Sequence, residues 1–453
     1  MGQATDKTQI HRADLGQIYL LDQDVDPNCL ADLRQFWVLA SATLVRPRVD
    51  FRRLSRAVEK LMARHDSLRI RFDRIKGTWM AIIDPPGPPE IRQIDLGDMD
   101  DADFRAKITE IANAPMPLIG GKLAELVVVS CGTRGDVIIS RVHHAITDGY
   151  GMVVLSEDMM KFLIGMPILT RPVSHADYIA RFENPPPARA AEYTAFWTEM
   201  HRDFPSAPMI GRKRKGLAPL WCATGKVDLR KVTVTTAPTS VARLTDRAER
   251  QNIGAATLMF AGYLEALCQI YNEDQLMFVT HVARTNPALE TYVGDHTLDP
   301  VIRYRAAGKT GLDHAAKALG GTLMAALSHL PHEAARRGTP WEREIIAGGG
   351  YPGQFSAYQP RAMSRQDRSV FSDGFKSGYG VEQRMGPYLV SSLDVSVYQR
   401  SLSEQQFSLG VDNGAGGFVL LYDGIGYDPG EMPTLANRIC DLLELEMTGM
   451  TET

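Results

Sequence analysis

His143 and His144 stand side by side, and an Asp-Gly pair follows at Asp148 and Gly149, in the run His143-His-Ala-Ile-Thr-Asp-Gly149. Imidazole is the side chain best poised to move a proton near neutral pH. Gly149 brings no side chain, which allows a tight turn and the close approach of a substrate, and its N–H at a helix start could help stabilise an oxyanion. Acyl transfer asks for such groups: the nucleophile loses a proton, a tetrahedral oxyanion is stabilised and the reactants are aligned. Neighbouring residues on a strand point to opposite faces, so the two histidines do not readily share one task. The same divergence argues against a metal site, because Asp148 alone does not complete three or four ligands.

The elements around this run must hold it at a surface or cleft. Asp136-Val-Ile-Ile-Ser-Arg-Val142 is β-rich, and Met152, Leu155, Met159 and Phe162 recur at helical spacing. The histidines therefore end a strand, and the Asp-Gly pair turns into a helix. Ala124–Cys131 and Asp136–His144 read as strands joined by a hairpin at Gly132–Gly135. Asp50 is placed to cap a helix with Phe51, Leu54, Val58, Leu61 and Met62 on one face. Leu68–Phe72 and Thr78–Ile83 are β-rich, and the Pro-rich stretch from Asp84 to Glu90 is a loop. Ser391 and Ser392 precede a strand-like run, Leu393–Tyr398. Helices are expected over Ala188–His201 and Met432–Met447. Prolines between Ile168 and Pro187 put a boundary near residue 175, giving α/β halves of 1–175 and 176–453.

The chain has 453 residues, 44% hydrophobic and 23% charged, which is ample for packed cores in two or three domains. A net charge of −4 argues against a general nucleic-acid binder. The five cysteines are scattered, with no Cys-x-x-Cys, so neither a disulfide framework nor a zinc site is indicated and a cytoplasmic location is expected. No signal core and no apolar run near ~20 residues appears, so no membrane span is expected. Gly211-Arg-Lys-Arg-Lys-Gly216 is a basic loop, suited to solvent or to an acidic partner. Gly348–Gly353 fits no phosphate-binding pattern.

The His-His-x-x-x-Asp-Gly run resembles the signature of condensation domains of nonribosomal peptide synthetases, in the chloramphenicol acetyltransferase-like superfamily. Other stretches follow in that family's order: Arg64-His-Asp-Ser-Leu-Arg-Ile-Arg-Phe72, Ala114–Leu123, Asp148–Leu155, Ala190–His201, Arg284–Gly294 and Leu421-Tyr-Asp-Gly-Ile-Gly-Tyr-Asp428. The ordered set runs from about residue 15 to 445 and is far more specific than one motif.

The resemblance implies a fold of two chloramphenicol acetyltransferase-like α/β subdomains in a V shape, with the active site in a tunnel between them. It implies a donor acyl thioester on the phosphopantetheine arm of an acyl or peptidyl carrier protein, no permanently bound cofactor, and an amine or hydroxyl acceptor, small or carrier-bound. It assigns the chemistry to His144 with Gly149, and structural support to His143, Asp148 and Arg284, the last pairing with Asp148 from the other half, with Arg69 in reserve. Tyr150, His296, Ser391 and Ser392 become candidate substrate contacts. The plain alternatives are strand-end serines and a core histidine. Around Val293–Pro300 the chain departs from the family, with His296 and Leu298 where Phe and Asn are common. No adenylation or carrier domain fits the remaining length, so a free-standing monomeric condensation enzyme of secondary metabolism is expected. The alternatives are a coenzyme A-dependent acyltransferase of the same superfamily, an epimerase-type relative and a non-catalytic recruitment module.

Overall fold

The computed structural model describes residues 7–25, 37–202, 229–280, 282, 286–335, 355–358, 382–395, 407–412, 417–423 and 430–452. The chain builds two units. One comprises Met1–Glu183, Ala283–Thr297 and Met363–Val397, and the other Asn184–Val282, Leu298–Ala362 and Tyr398–Thr453. The chain thus changes units first after Glu183 and then returns twice, a pattern that one boundary near residue 175 does not contain.

The first unit begins with β1 (Gln9–Arg12), α1 (Leu15–Val25), β2 (Val38–Arg46) and α2 (Phe51–Arg64). Asp50 caps α2 by accepting from the N–H groups of Arg52 and Arg53, as its position predicts. The buried face is Leu54, Ala57, Val58 and Leu61, whereas Phe51 is exposed, so the apolar stripe starts one turn later than expected. Next come β3 (Ile70–Ile75), β4 (Thr78–Ile83), β5 (Ile91–Asp95), α3 (Asp101–Ala112), β6 (Ala124–Ser130), β7 (Asp136–His143), α4 (Gly149–Leu163) and α5 (His175–Arg181). Leu68 and Arg69 belong to a short 3-10 turn before β3, not to the strand.

β1, β4 and β3 form a small sheet. A six-stranded sheet runs Gln383–Met385, Tyr388–Leu393, β2, β7, β6, β5, so β7 is an inner strand. It is paired antiparallel on both sides, to β2 and to β6. Val137, Ile138, Ile139 and Val142 on β7 are buried, as befits an inner strand with both faces covered. The predicted start of a strand at Leu393 is corrected: Ser391 and Ser392 lie inside Tyr388–Leu393.

The second unit is a seven-stranded sheet in the order Val301–Arg305, Gln275–Thr280, Phe355–Tyr358, Phe407–Asp412, Gly417–Asp423, Leu229–Thr236, Met447–Glu452. Its core includes the helix Ala255–Tyr271, buried along most of its length. The predicted C-terminal helix is shorter than expected. It spans Glu431–Leu443 and stops where Glu444 turns left-handed, and Met447–Glu452 then adds a strand beside Leu229–Thr236. Among the described residues no single helix is long and apolar enough to cross a membrane. The basic loop 211–216 and the glycine loop 348–353 lie outside the described residues.

Candidate functional site

The site is built where β7 ends. His143 is its last residue, paired opposite Val38, and its N–H donates to the Leu123 carbonyl at 2.8 Å. The ring is buried, and Nδ1 accepts the Ala145 N–H at 3.1 Å. That bond places the proton of the neutral ring on Nε2. Burial, with His144 alongside, pushes the His143 pKa down to about 3. His143 is therefore a neutral fastener of the turn.

One residue on, the chain leaves the sheet. The His144 N–H donates to the Trp37 carbonyl, and a 3-10 turn over His144–Ile146 drives Ala145 and Ile146 into the core. The His144 side chain keeps 22% of its surface accessible and meets the Trp37 ring edge to face at 5.7 Å. The strand end thus divides the two histidines as the alternation of strand side chains requires, one into the core and one to an accessible edge.

Asp148 is fully buried and caps α4. One carboxylate oxygen accepts the Gly151 N–H at 2.7 Å, and the other accepts the His296 N–H at 3.1 Å. The aspartate of the motif therefore ties the helix start to a segment about 150 residues downstream. Arg284, its expected partner, lies outside the described residues. The reserve candidate Arg69 is committed elsewhere, donating to the carbonyls of Met62 and Asp84.

Gly149 is exposed, and a Cβ there would meet nothing within 4 Å. Gly149 has room for a side chain, so the steric need for a glycine lies elsewhere. That demand falls on Gly151, where a Cβ would lie 2.4 Å from the Thr147 hydroxyl oxygen. What Gly149 leaves is open space over the first turn of α4, and half-buried Tyr150 follows it there.

The residue that the sequence did not flag is Asp295. One of its carboxylate oxygens lies 3.6 Å from His144 Nδ1, and the other accepts the Thr297 N–H at 3.3 Å. Burial opposes a charge on His144, but the carboxylates of Asp295 and Asp148 outweigh it and push its pKa up to about 9. Gly16, near the start of α1, makes room for this arrangement: a Cβ there would sit 3.2 Å from the Asp295 oxygen. The Val293-Gly-Asp-His departure from the family pattern was the available signal, and it drew attention to His296, one residue too far.

His296 is a core residue. Its Nδ1 is 2.9 Å from the Tyr178 hydroxyl, its ring stands edge-on to Tyr178, and Tyr178 stacks on Tyr292 at 4.5 Å. The two serines are also displaced from the histidines. Ser392 pairs with Thr43 of β2, five residues along from Val38 opposite His143, a run of roughly 16 Å at strand rise. Ser391 is buried beside it. The structure thus places none of these three candidate substrate contacts against the accessible face of His144.

The Arg64-His65 pair has a clear task. Arg64 Nε and His65 Nε2 lie 2.7 and 2.9 Å from the Asp158 carboxylate, locking α2 against α4 behind the site.

Residues 28–334 match the Condensation domain family, and the chain belongs to it. Its α/β architecture is the chloramphenicol acetyltransferase-like condensation fold. The first condensation domain of the calcium-dependent antibiotic synthetase superposes with a TM-score of 0.67 at 17% identity, covering 97% of this chain and 99% of that one. The SgcC5 protein of Streptomyces globisporus does so with a TM-score of 0.68 at 18% identity, covering 96% and 98%. Among curated proteins, the chain is 24% identical over 173 residues to the chondramide synthase of Chondromyces crocatus, 36% of this chain and 4% of that protein. It is 24% identical over 147 residues to the cyclosporin synthetase of Tolypocladium inflatum, 32% of this chain and 1% of that protein. The chain thus spans only a few per cent of these relatives' length.

Proposed function

We propose that the chain catalyses condensation: it transfers an acyl group from the phosphopantetheine thioester of a carrier protein to an amine or hydroxyl acceptor, forming an amide or ester. The observation that carries this reading is His144, accessible at a strand end, backed by a carboxylate and set beside the Asp148-capped start of α4. Family membership supports it.

In this reading His144 Nε2 takes the proton from the acceptor's O–H or N–H as the heteroatom attacks the thioester carbonyl carbon. The new C–O or C–N bond forms, and the carbonyl electron pair moves to oxygen. The helix start at Gly149, with its aligned backbone N–H dipoles, favours that negative charge. The oxyanion collapses, the C–S bond breaks, and the thiolate takes the proton from His144. The products are the ester or amide and the free thiol of the arm.

The test is transfer from an acyl-loaded carrier protein to a panel of amines and alcohols, followed by intact-protein mass spectrometry, with wild type beside His144→Ala. Acyl loss with a new product, reduced by at least tenfold in the variant, supports the reading. Transfer from acyl-coenzyme A alone would reassign the donor. Carrier binding without turnover, unchanged in the variant, would make the chain a recruitment module.

A further inference from the structure

Asp295 has no counterpart in the motif, yet it reaches the one atom of His144 that most needs a partner. His144 Nδ1 is buried and makes no hydrogen bond within 3.5 Å among the described residues. A buried polar nitrogen left unpaired is costly. The Asp295 oxygen at 3.6 Å is the carboxylate positioned to meet it. That separation is slightly longer than a hydrogen bond, as such pairs often are without substrate. The carboxylate is itself held: its other oxygen accepts the Thr297 N–H, and the next residue is fixed by its own N–H to Asp148 and its ring to Tyr178. The oxygen that faces His144 also abuts Gly16, whose missing side chain leaves it that place.

We propose that Asp295 is the positioning residue of His144: it holds the imidazole proton on Nδ1, so that Nε2 carries the lone pair that accepts the acceptor's proton. The inference rests on the condensation reading. Asp295 never touches the reacting atoms. It sets the tautomer and stabilises the imidazolium that forms when Nε2 is protonated, and the proton leaves again with the thiolate. The other ionisable groups around His144 are Asp148 below it on the α4 cap, neutral His143 before it, and Asp14, across Gly16 from Asp295. Asp295 is the one whose carboxylate oxygen stands 3.6 Å from Nδ1.

The rival for the Nδ1 proton is the backbone carbonyl of His144 itself, and the experiment is chosen to separate the two. Asp295→Asn keeps the shape and the acceptor for Thr297, and turns an N–H toward His144 Nδ1. The full-length chain, with 15N-labelled histidine, is followed by NMR across pH, with His144→Gln assigning the resonance. Wild-type neutral His144 is expected to be protonated on Nδ1, and the variant on Nε2. In parallel, transfer to a non-titrating alcohol is measured against pH. With the tautomer reversed, kcat should fall by about 10²–10⁴-fold with KM little changed, and the limb on which activity rises with pH should move at least one unit lower. Asp295→Glu should recover part of the rate.

An unchanged tautomer and an unchanged pH limb in Asp295→Asn would overturn the proposal in favour of the backbone carbonyl. If that variant fails to fold, Gly16→Ala replaces it. Its Cβ pushes on the Asp295 oxygen while improving helix propensity, and it should move the His144 titration the same way; no movement would overturn the proposal. Because the NMR readout needs no turnover, it decides the Asp295 pairing even if the condensation reading itself fails.

Discussion

Replacing Asp148 separates a supporting carboxylate from a catalytic one. Its carboxylate is fully buried and accepts at least two backbone N–H groups, Gly151 at 2.7 Å and His296 at 3.1 Å. Asp148→Ala removes a helix cap, worth ~1 kcal/mol. It also strands the buried His296 N–H, at a cost of about 1–3 kcal/mol. The sum is a loss of roughly 2–4 kcal/mol. For a cooperative unit of 150–250 residues, each kcal/mol moves the midpoint by about 2–4 °C. Calorimetry should therefore show one transition lowered by roughly 5–15 °C, and hydrogen exchange should show the Gly151 and His296 amides losing protection. Asp148→Asn, which keeps one acceptor, should fall between. His144→Ala, in contrast, should abolish transfer while leaving the Gly151 and His296 amides protected. An Asp148→Ala protein within about 0.5 kcal/mol of wild type, with both amides still protected, would refute the reasoning, since the loss follows directly from the two bonds.

Transfer to an alcohol should rise with pH toward about 9, because His144 must lose its proton before Nε2 can act and its pKa is pushed up to about 9; a profile flat from pH 6 to 9 would contradict this. Stability should weaken on both sides of neutrality. Buried His143, His175 and His201, pushed down to about 3, 4 and 4, bind protons more readily when unfolded, so stability drops as pH falls from about 6.5 toward 4. The favourable pairing of His144 is fully present below about 6.5 and fades as pH climbs through about 9; thermal midpoints across pH 4–10 test both signs. Asp158→Ala leaves His65 and Arg64 without their shared partner and should cost about 3–5 kcal/mol in chemical denaturation.

Local chemistry made much of this legible. The cap at Asp50, the strand ending in two histidines and the helix opened by Asp148 all follow from contacts within a few residues. The misreadings arise where distant chain decides. Ser391 and Ser392 read as strand ends, but pairing with Thr43 and Leu44 puts them inside a strand far from His144. Met447–Glu452 lacks a strand pattern and is a strand because Leu229–Thr236 offers its edge. Asp295 was passed over because its meeting with His144 joins residues about 150 positions apart. The departure at Val293-Gly-Asp-His marks its neighbourhood, but nothing local sets Asp295 above His296.

The segment after Tyr292 explains why a short motif cannot make such a site alone. Three successive contacts leave it in different directions: Asp295 toward His144, the His296 N–H to Asp148, and the His296 ring to Tyr178. The buried Tyr178–Tyr292 stack anchors the last of these. With His296 fixed at both backbone and ring, Asp295 has little freedom to move away from the imidazole. Asp148 thus serves the site twice, once by starting α4 beside Gly149 and once by seating the segment that carries Asp295. The two aspartates act in series, and only the second faces the histidine's nitrogen. A chain with the His-His-x-x-x-Asp-Gly run but without an acid at 295 would keep the scaffold and lose the hold on Nδ1.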